Sequence, residues 1–429
     1  MERLIEFLKK YEEISDYRIT RINRLSNQLY FVLGKLETTR VVDTTNTSVV
    51  ICNRHNDKIG SANFSYSDTM TDEELTEQIE RTIKQAKLIN NENFTLPTGE
   101  VYVHELDSNF RAIPLNTLAA DLSETIFSCI DEDELSINSL EIFISKTTRQ
   151  IVNSLGLDKT EVKYTGFYEA IPTYTKENPD DVSLSSVELF DEFSFVDYNK
   201  EQIINDVKQK LAEVKARYYA KPMKIEDVPV VLQASELAEI FHNIARETNY
   251  EPIYNHQNIL EIGDNLQDGE NADKLTIILR GIIPSSASSE LFDNNGIEYI
   301  DTMIVENGVI VNGYGTGSFA QYLNKVPTGN LPCIDVVNGN LTDEEIKENK
   351  YLSCLSFSGI QIDIANDYIG GEVRLAMYFD GEKEIPVTGL SISGSLSNFL
   401  KTVKLSKDTT TCQAYRGPKN ALSKAFKII

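Results

Sequence analysis

From about residue 274 to the end, the chain is built of short apolar runs separated by glycine, and this pattern constrains its fold more than any other feature. Runs at 274–279, 298–306, 308–313, 372–380 and 385–393 are too short for helices and predict strands joined by turns. So many short strands in one open sheet would leave unpaired backbone edges. A closed or sandwich-like, barrel-like β-structure is therefore expected. The first half reads differently. Residues 17–36 and 47–64 are rich in β-branched and aromatic residues broken by polar turns, and predict strands and hairpins. Thr71-Asp-Glu-Glu74 is a capping box opening a helix whose Leu75, Ile79, Ile83 and Ala86 form one apolar stripe. Further helices are predicted over 115–130, just after Pro114, and over 200–219, with Ile203, Ile204, Val207, Leu211 and Val214 on the core side. Strands are predicted over 140–152, 162–174 and 187–196, with a turn at Asn153-Ser-Leu-Gly156. A polar run at 220–229 holding Pro222 and Pro229 marks the junction. The expected architecture is α+β: an N-terminal sheet-plus-helices domain (1–222), then a mainly β, barrel-like C-terminal domain (223–429) opened by a helix over 235–247.

The charge balance narrows the function. Lys+Arg number 41 against 66 Asp+Glu, a net charge of −25, and no basic run interrupts it. Nucleic-acid and anionic-membrane binding both draw affinity from Lys and Arg neutralising negative charge, so neither partner is expected. The five cysteines (Cys52, Cys129, Cys333, Cys354 and Cys412) are scattered and never form C-x-x-C, which indicates neither a disulfide framework nor a zinc ribbon. The first ten residues mix charges into an apolar stretch and read as an amphipathic helix, not a secretory signal. No apolar segment approaches the roughly 18 residues that span a bilayer. The expected location is the cytoplasm.

Two glycine-rich phrases invite nucleotide or serine chemistry and fail on spacing. Gly313-Tyr-Gly-Thr-Gly-Ser318 has serine where the dinucleotide fingerprint needs its third glycine, so a tight turn is expected. Gly389-Leu-Ser-Ile-Ser-Gly394 is one residue too long for a nucleophile elbow and reads as an alternating strand. Of the four histidines, His55 and His104 sit in polar, surface-like contexts. His242 lies on a helix with Glu236, Glu239 and Glu247. At about 100° per residue, His242 and Glu239 fall about 60° apart, whereas His242 and Glu247 fall about 140° apart. The latter pair reaches one ion only if the helix ends or unwinds between them, and Arg246 beside His242 opposes a cation. Spacing leaves both a metal ligand and an ordinary helix histidine open.

Four phrases in the second half, Leu291-Phe-Asp-Asn-Asn-Gly-Ile297, Ile304-Val-Glu-Asn-Gly-Val-Ile310, Pro327-Thr-Gly-Asn330 and Pro386-Val-Thr-Gly-Leu-Ser-Ile-Ser-Gly-Ser-Leu396, together resemble the TldD/PmbA family. These are the so-called modulators of DNA gyrase, also classed as metallopeptidases. Asn153-Ser-Leu-Gly156 and Gly60-Ser-Ala extend the resemblance into the first half. It implies homo- or heterodimers and, in one subunit type, H-E-x-x-x-H with a distant cysteine binding zinc; the paired subunit lacks that motif. Here His242 falls on the first histidine, Asn243 on the general-base glutamate and Glu247 on the second histidine, while Cys412 stands nearest the cysteine ligand. A carboxylate can replace imidazole on zinc, but an amide cannot take the proton that hydrolysis must move. The resemblance thus implies a non-catalytic or altered subunit of a cytosolic peptidase acting on unfolded peptides, with no catalytic residue of its own and no zinc required. Two alternatives stay open. One is an active metallohydrolase with a His242/Glu247/Cys412 zinc site; the other is a non-enzymatic gyrase-interacting regulator.

Overall fold

The structure is a computed structural model describing residues 1–176, 186–269, 272–347 and 350–429. The chain opens with α1 (Glu2–Leu8), β1 (Asp16–Val32), β2 (Lys35–His55), β3 (Lys58–Tyr66) and α2 (Asp72–Ala86). Next come β4 (Val101–Glu105), α3 (Leu115–Phe127), β5 (Leu135–Asn153), β6 (Asp158–Thr175), β7 (Ser186–Glu188), β8 (Asp191–Phe195) and α4 (Lys200–Tyr219). The strands form one sheet in the order β3-β2-β1-β5-β6-β4, with β7 and β8 also pairing to β6. The capping box predicted at Thr71 is present in both directions. Leu75, Ile79 and Ile83 pack with Leu4, Leu8, Ile19 and Ile51 in a core under the β1–β3 side. Helices α3 and α4 cover β5 and β6 with Leu118, Leu122, Ile203, Val207 and Leu211.

The segments 17–36 and 47–64 form the expected hairpins, β1–β2 and β2–β3. Two strand readings change. β2 runs straight on through residues 37–46, which are exposed apart from half-buried Val42, so it reaches 21 residues. The single strand expected over 187–196 is two short ones, β7 and β8, broken between Leu189, which is buried, and Phe190, which is exposed.

The second half continues with β9 (Val230–Gln233), α5 (Ala234–Glu247), α6 (Tyr250–Tyr254), β10 (Ile277–Arg280), β11 (Thr302–Glu306), β12 (Val309–Ile310) and α7 (Gly317–Tyr322). Then follow β13 (Cys333–Val336), β14 (Tyr351–Asp363), β15 (Tyr368–Phe379), β16 (Glu384–Val387), β17 (Leu390–Gly394) and α8 (Leu396–Thr402). The chain ends with β18 (Lys404–Leu405), β19 (Thr409–Cys412), β20 (Tyr415–Pro418), β21 (Asn420–Ser423) and β22 (Phe426–Ile428). These strands make two sheets, β12-β11-β10-β13-β20-β19 and β18-β21-β9-β14-β15-β17-β22, with β16 on β15. Helix α5 lies between them. Its Leu237, Ile240, Phe241 and Ile244 are fully buried and share one core with Ile277, Ile304 and Ile334 of one sheet and Val230, Leu352 and Ile369 of the other. The three- and four-residue spacing of those side chains makes one stripe, and burying each contributes about 1.5–3 kcal/mol. The chain is thus α+β, with curled strand-rich layers around one helix in its second half.

Candidate functional site

Helix α5 is where the sequence points, and its core stripe fixes which side chains face elsewhere. His242, half-buried, donates from Nδ1 to the carbonyl oxygen of Ala238 one turn back, 2.8 Å away. Asn243 does the same with its side-chain amide, donating to the Glu239 carbonyl at 2.9 Å. Glu247 closes the helix. Its Oε2 accepts from the backbone amides of Ile259 and Leu260 at 2.5 and 3.2 Å, tying the helix end to the following loop. Cys412 stands at the end of β19, and the charges acting on its thiol are those of Glu236, Glu192 and Lys210. Burial first, then Glu236 and Glu192, push that thiol above its usual range. His242 and Glu247 are thus engaged with backbone groups, and Cys412 stands on a separate strand. Among the described residues, no three His, Cys, Asp or Glu side chains are arranged to hold one ion. The residues present do not fit a zinc ion of the kind the resemblance implies.

A groove of about 730 Å³ opens where the N-terminal end of α5 meets β8, α4 and the end of β19. Its chemistry comes from residues far apart in sequence. Burial pushes Asp191 up to about 6 and Glu236, at the start of α5, up to about 7. The Tyr168 hydroxyl donates to Asp191 at 3.2 Å, and the Ser235 hydroxyl donates to Glu236 at 3.0 Å. Burial alone would lower the Lys210 ammonium. Glu213, 2.9 Å away, with Asp191 and Glu236, instead holds it above its ordinary value. Acids that ionise near neutrality beside a fixed ammonium suit a surface that holds polar main chain or exchanges protons. No local motif announces this group; only Glu236 was visible, as one of several acids on α5.

The two halves are stitched on the other side by the loop 290–298. Phe292 is fully buried beside Ile151 and Leu157, and Arg149 of β5 lies over its ring at 4.7 Å while donating to its carbonyl at 2.6 Å. Arg149 also pairs with Glu290 at 3.1 Å and Glu161 at 3.4 Å, and Glu161 accepts from the Leu291 amide. Asp293 turns the loop by accepting from the amides of Asn295 and Ile297. Gly296 follows at φ +83°, a left-handed conformation that glycine adopts without strain. The Phe-Asp-x-x-Gly phrase is therefore a joint between halves. The glycines of 313–318 also differ from the tight turn expected. A Cβ on Gly313 or Gly315 would meet the Tyr250 ring at 2.9–3.0 Å, so they serve close packing.

A family model for the PmbA/TldA metallopeptidase C-terminal domain matches residues 225–427. Residues 225–427 belong to the PmbA/TldA family. Solved structures agree over the full length. TldE from Thermococcus kodakarensis superposes with a TM-score of 0.81 at 17% identity, covering 100% of this chain and 99% of its own. A Thermotoga maritima protein described as a candidate modulator of a DNA gyrase gives 0.78 at 17%, covering 100% and 99%. A Bacteroides thetaiotaomicron protein of like description gives 0.78 at 12%, covering 100% and 98%. At these identities the structures speak for the fold alone. No curated protein sequence matches the chain. Within TldD/PmbA terms, this member carries His242-Asn-Ile-Ala-Arg-Glu247 in place of H-E-x-x-x-H.

Proposed function

We propose that this chain is a non-catalytic subunit of a TldD/PmbA-type cytoplasmic peptidase, pairing with a homologue that keeps H-E-x-x-x-H to enclose unfolded peptide. One observation carries the reading: the two altered positions of the motif are already occupied. Asn243 donates its side-chain amide to the Glu239 carbonyl, and Glu247 commits Oε2 to two loop amides. An amide cannot serve as the base, and Glu247 works as a tie between the helix end and the loop. The groove at Asp191, Lys210 and Ser235 supports contact with peptide main chain, since its polar groups can accept and donate along an extended segment. No helix among the described residues is long and apolar enough to cross a membrane.

The test is metal analysis of chelator-free protein and cleavage of an unstructured peptide, alone and mixed with a homologue carrying the intact motif. The expected result is no stoichiometric zinc and no cleavage alone, with co-purification of the mixed pair and cleavage by it. One zinc per chain together with cleavage, both lost in His242→Ala, would establish the altered-site hydrolase instead.

A further inference from the structure

A separate cavity of about 190 Å³ lies between the first sheet, the segments 94–97 and 295–297, and the start of α7, on the opposite side of the sheet from α1 and α2. Alternation along β1 places Arg18 there. Its neighbours Tyr17 and Ile19 are buried in the core under those helices, so Arg18 projects from the other face. Arg18 donates from Nη1 to Asn295 Oδ1, while its Nε is buried without a hydrogen-bond partner. Among the described residues, no carboxylate lies within ion-pair distance of it. Burial lowers its pKa, and Asp293 acts on it only from beyond that distance. Asp293 itself turns the loop with one oxygen, and its other oxygen is buried and unpartnered. Burial pushes the Cys52 thiol, also at the wall, up to about 11, so it adds no charge. Nε lies too deep to meet a ligand, which leaves Nη2, neither buried nor hydrogen-bonded within the protein, as the part of this guanidinium open to the cavity, and a cation without a contacting counter-ion there favours an anion.

The walls decide which anion. Phe94, Leu96, Pro97 and Ile297 are apolar, and Ser61 and Ser318 supply hydroxyls. A carboxylate accepts a charge-assisted hydrogen bond from the guanidinium Nη2. Arg18 is the one cation among the cavity's lining residues, on a protein of net charge −25, which disfavours a multiply charged phosphate. We propose that this cavity binds a small monocarboxylate with a short apolar tail, its carboxylate held by Arg18. The site goes beyond the subunit reading and does not depend on it. A free short-chain acid and the C-terminal residue of a peptide share this chemistry.

Calorimetric titration of the full chain with 4-methylpentanoate and with 4-methylpentanamide tests it. The acid should bind saturably and the amide at least tenfold more weakly. Arg18→Gln should lose at least tenfold in affinity for the acid, and Ser61→Leu, which fills the cavity without touching the charge, should lose as much. Should Arg18→Gln fail to fold, Ser61→Leu with the acid/amide pair decides. Equal binding of acid and amide, binding by Ser61→Leu at the wild-type level, or no saturable binding overturns the proposal. Once acid binding is established, a tripeptide ending in leucine identifies the source: tighter binding than the free acid assigns a peptide end, weaker binding a free acid.

Discussion

The two halves of the chain meet along a seam and around a groove, and the two meetings use charge in different ways. At the seam, Arg149 reaches Glu161, Glu290 and the Phe292 carbonyl at once, and Lys159 pairs with both Glu100 and Glu298. Burial still pushes Glu161 up, but it sits in direct contact with a fixed guanidinium, so removing that partner strands a buried charge. At the groove, Asp191, Asp206 and Glu236 are pushed up because burial outweighs the help they receive from Lys210. The seam spends its charges on holding the halves together. The groove keeps acids poised near neutrality around an open space, which is what a binding surface needs and a structural joint does not.

The sharpest way to break this contrast is at the seam. Arg149→Ala leaves Glu161, 3% exposed, without its buried partner, and should cost about 3–5 kcal/mol, read as a fall in the urea midpoint at unchanged m-value. A loss below about 1 kcal/mol would mean the seam behaves like a surface ion pair. The groove predicts a pH effect of the opposite kind. Asp191 ionises near 6 when folded, against 3.8 ordinarily. Its contribution is therefore fully present below about pH 4 and is lost as pH rises through 6, amounting to roughly 2–3 kcal/mol. Glu236 acts in the same direction up to about 7. Urea titrations from pH 4 to 8 should show the decline, and Asp191→Asn, which keeps an acceptor for Tyr168, should flatten much of it. A decline as steep in Asp191→Asn as in the unaltered chain would remove Asp191 from the account. Glu247→Ala should cost about 1 kcal/mol, because the half-buried Leu260 amide loses its acceptor while that of exposed Ile259 turns to water. Cys412→Ser should change stability by about 0.5 kcal/mol or less and metal content not at all. A drop in bound zinc would return Cys412 to a ligand role.

What could be read from the sequence was whatever has a local cause. The helix after Thr71 announces itself through a cap and a stripe within sixteen residues, and α4 through its spacing of Ile203, Val207 and Leu211. Residues 37–46 of β2 gave no strand signal because all but half-buried Val42 are exposed, so no alternation of burial is written into them. The groove was illegible for a different reason. Asp191, Lys210, Ser235 and Cys412 come from four separate elements, and each looks ordinary in its own segment. The sequence pointed to α5 and to His242, Asn243 and Glu247 on it. It could not show that Glu247 answers a loop twelve residues further on, since that pairing exists only once the chain turns back.

That pairing also makes α5 and its neighbouring loop epistatic. Rebuilding H-E-x-x-x-H by Asn243→Glu with Glu247→His would exchange a carboxylate that accepts from two amides for an imidazole that, when neutral, offers one acceptor nitrogen and, when protonated, none. The half-buried Leu260 amide and a metal ion would then compete for the same ring nitrogen. A restored motif therefore needs a compensating change at 259–260, and the helix cannot be returned to a metal-binding form by editing the helix alone.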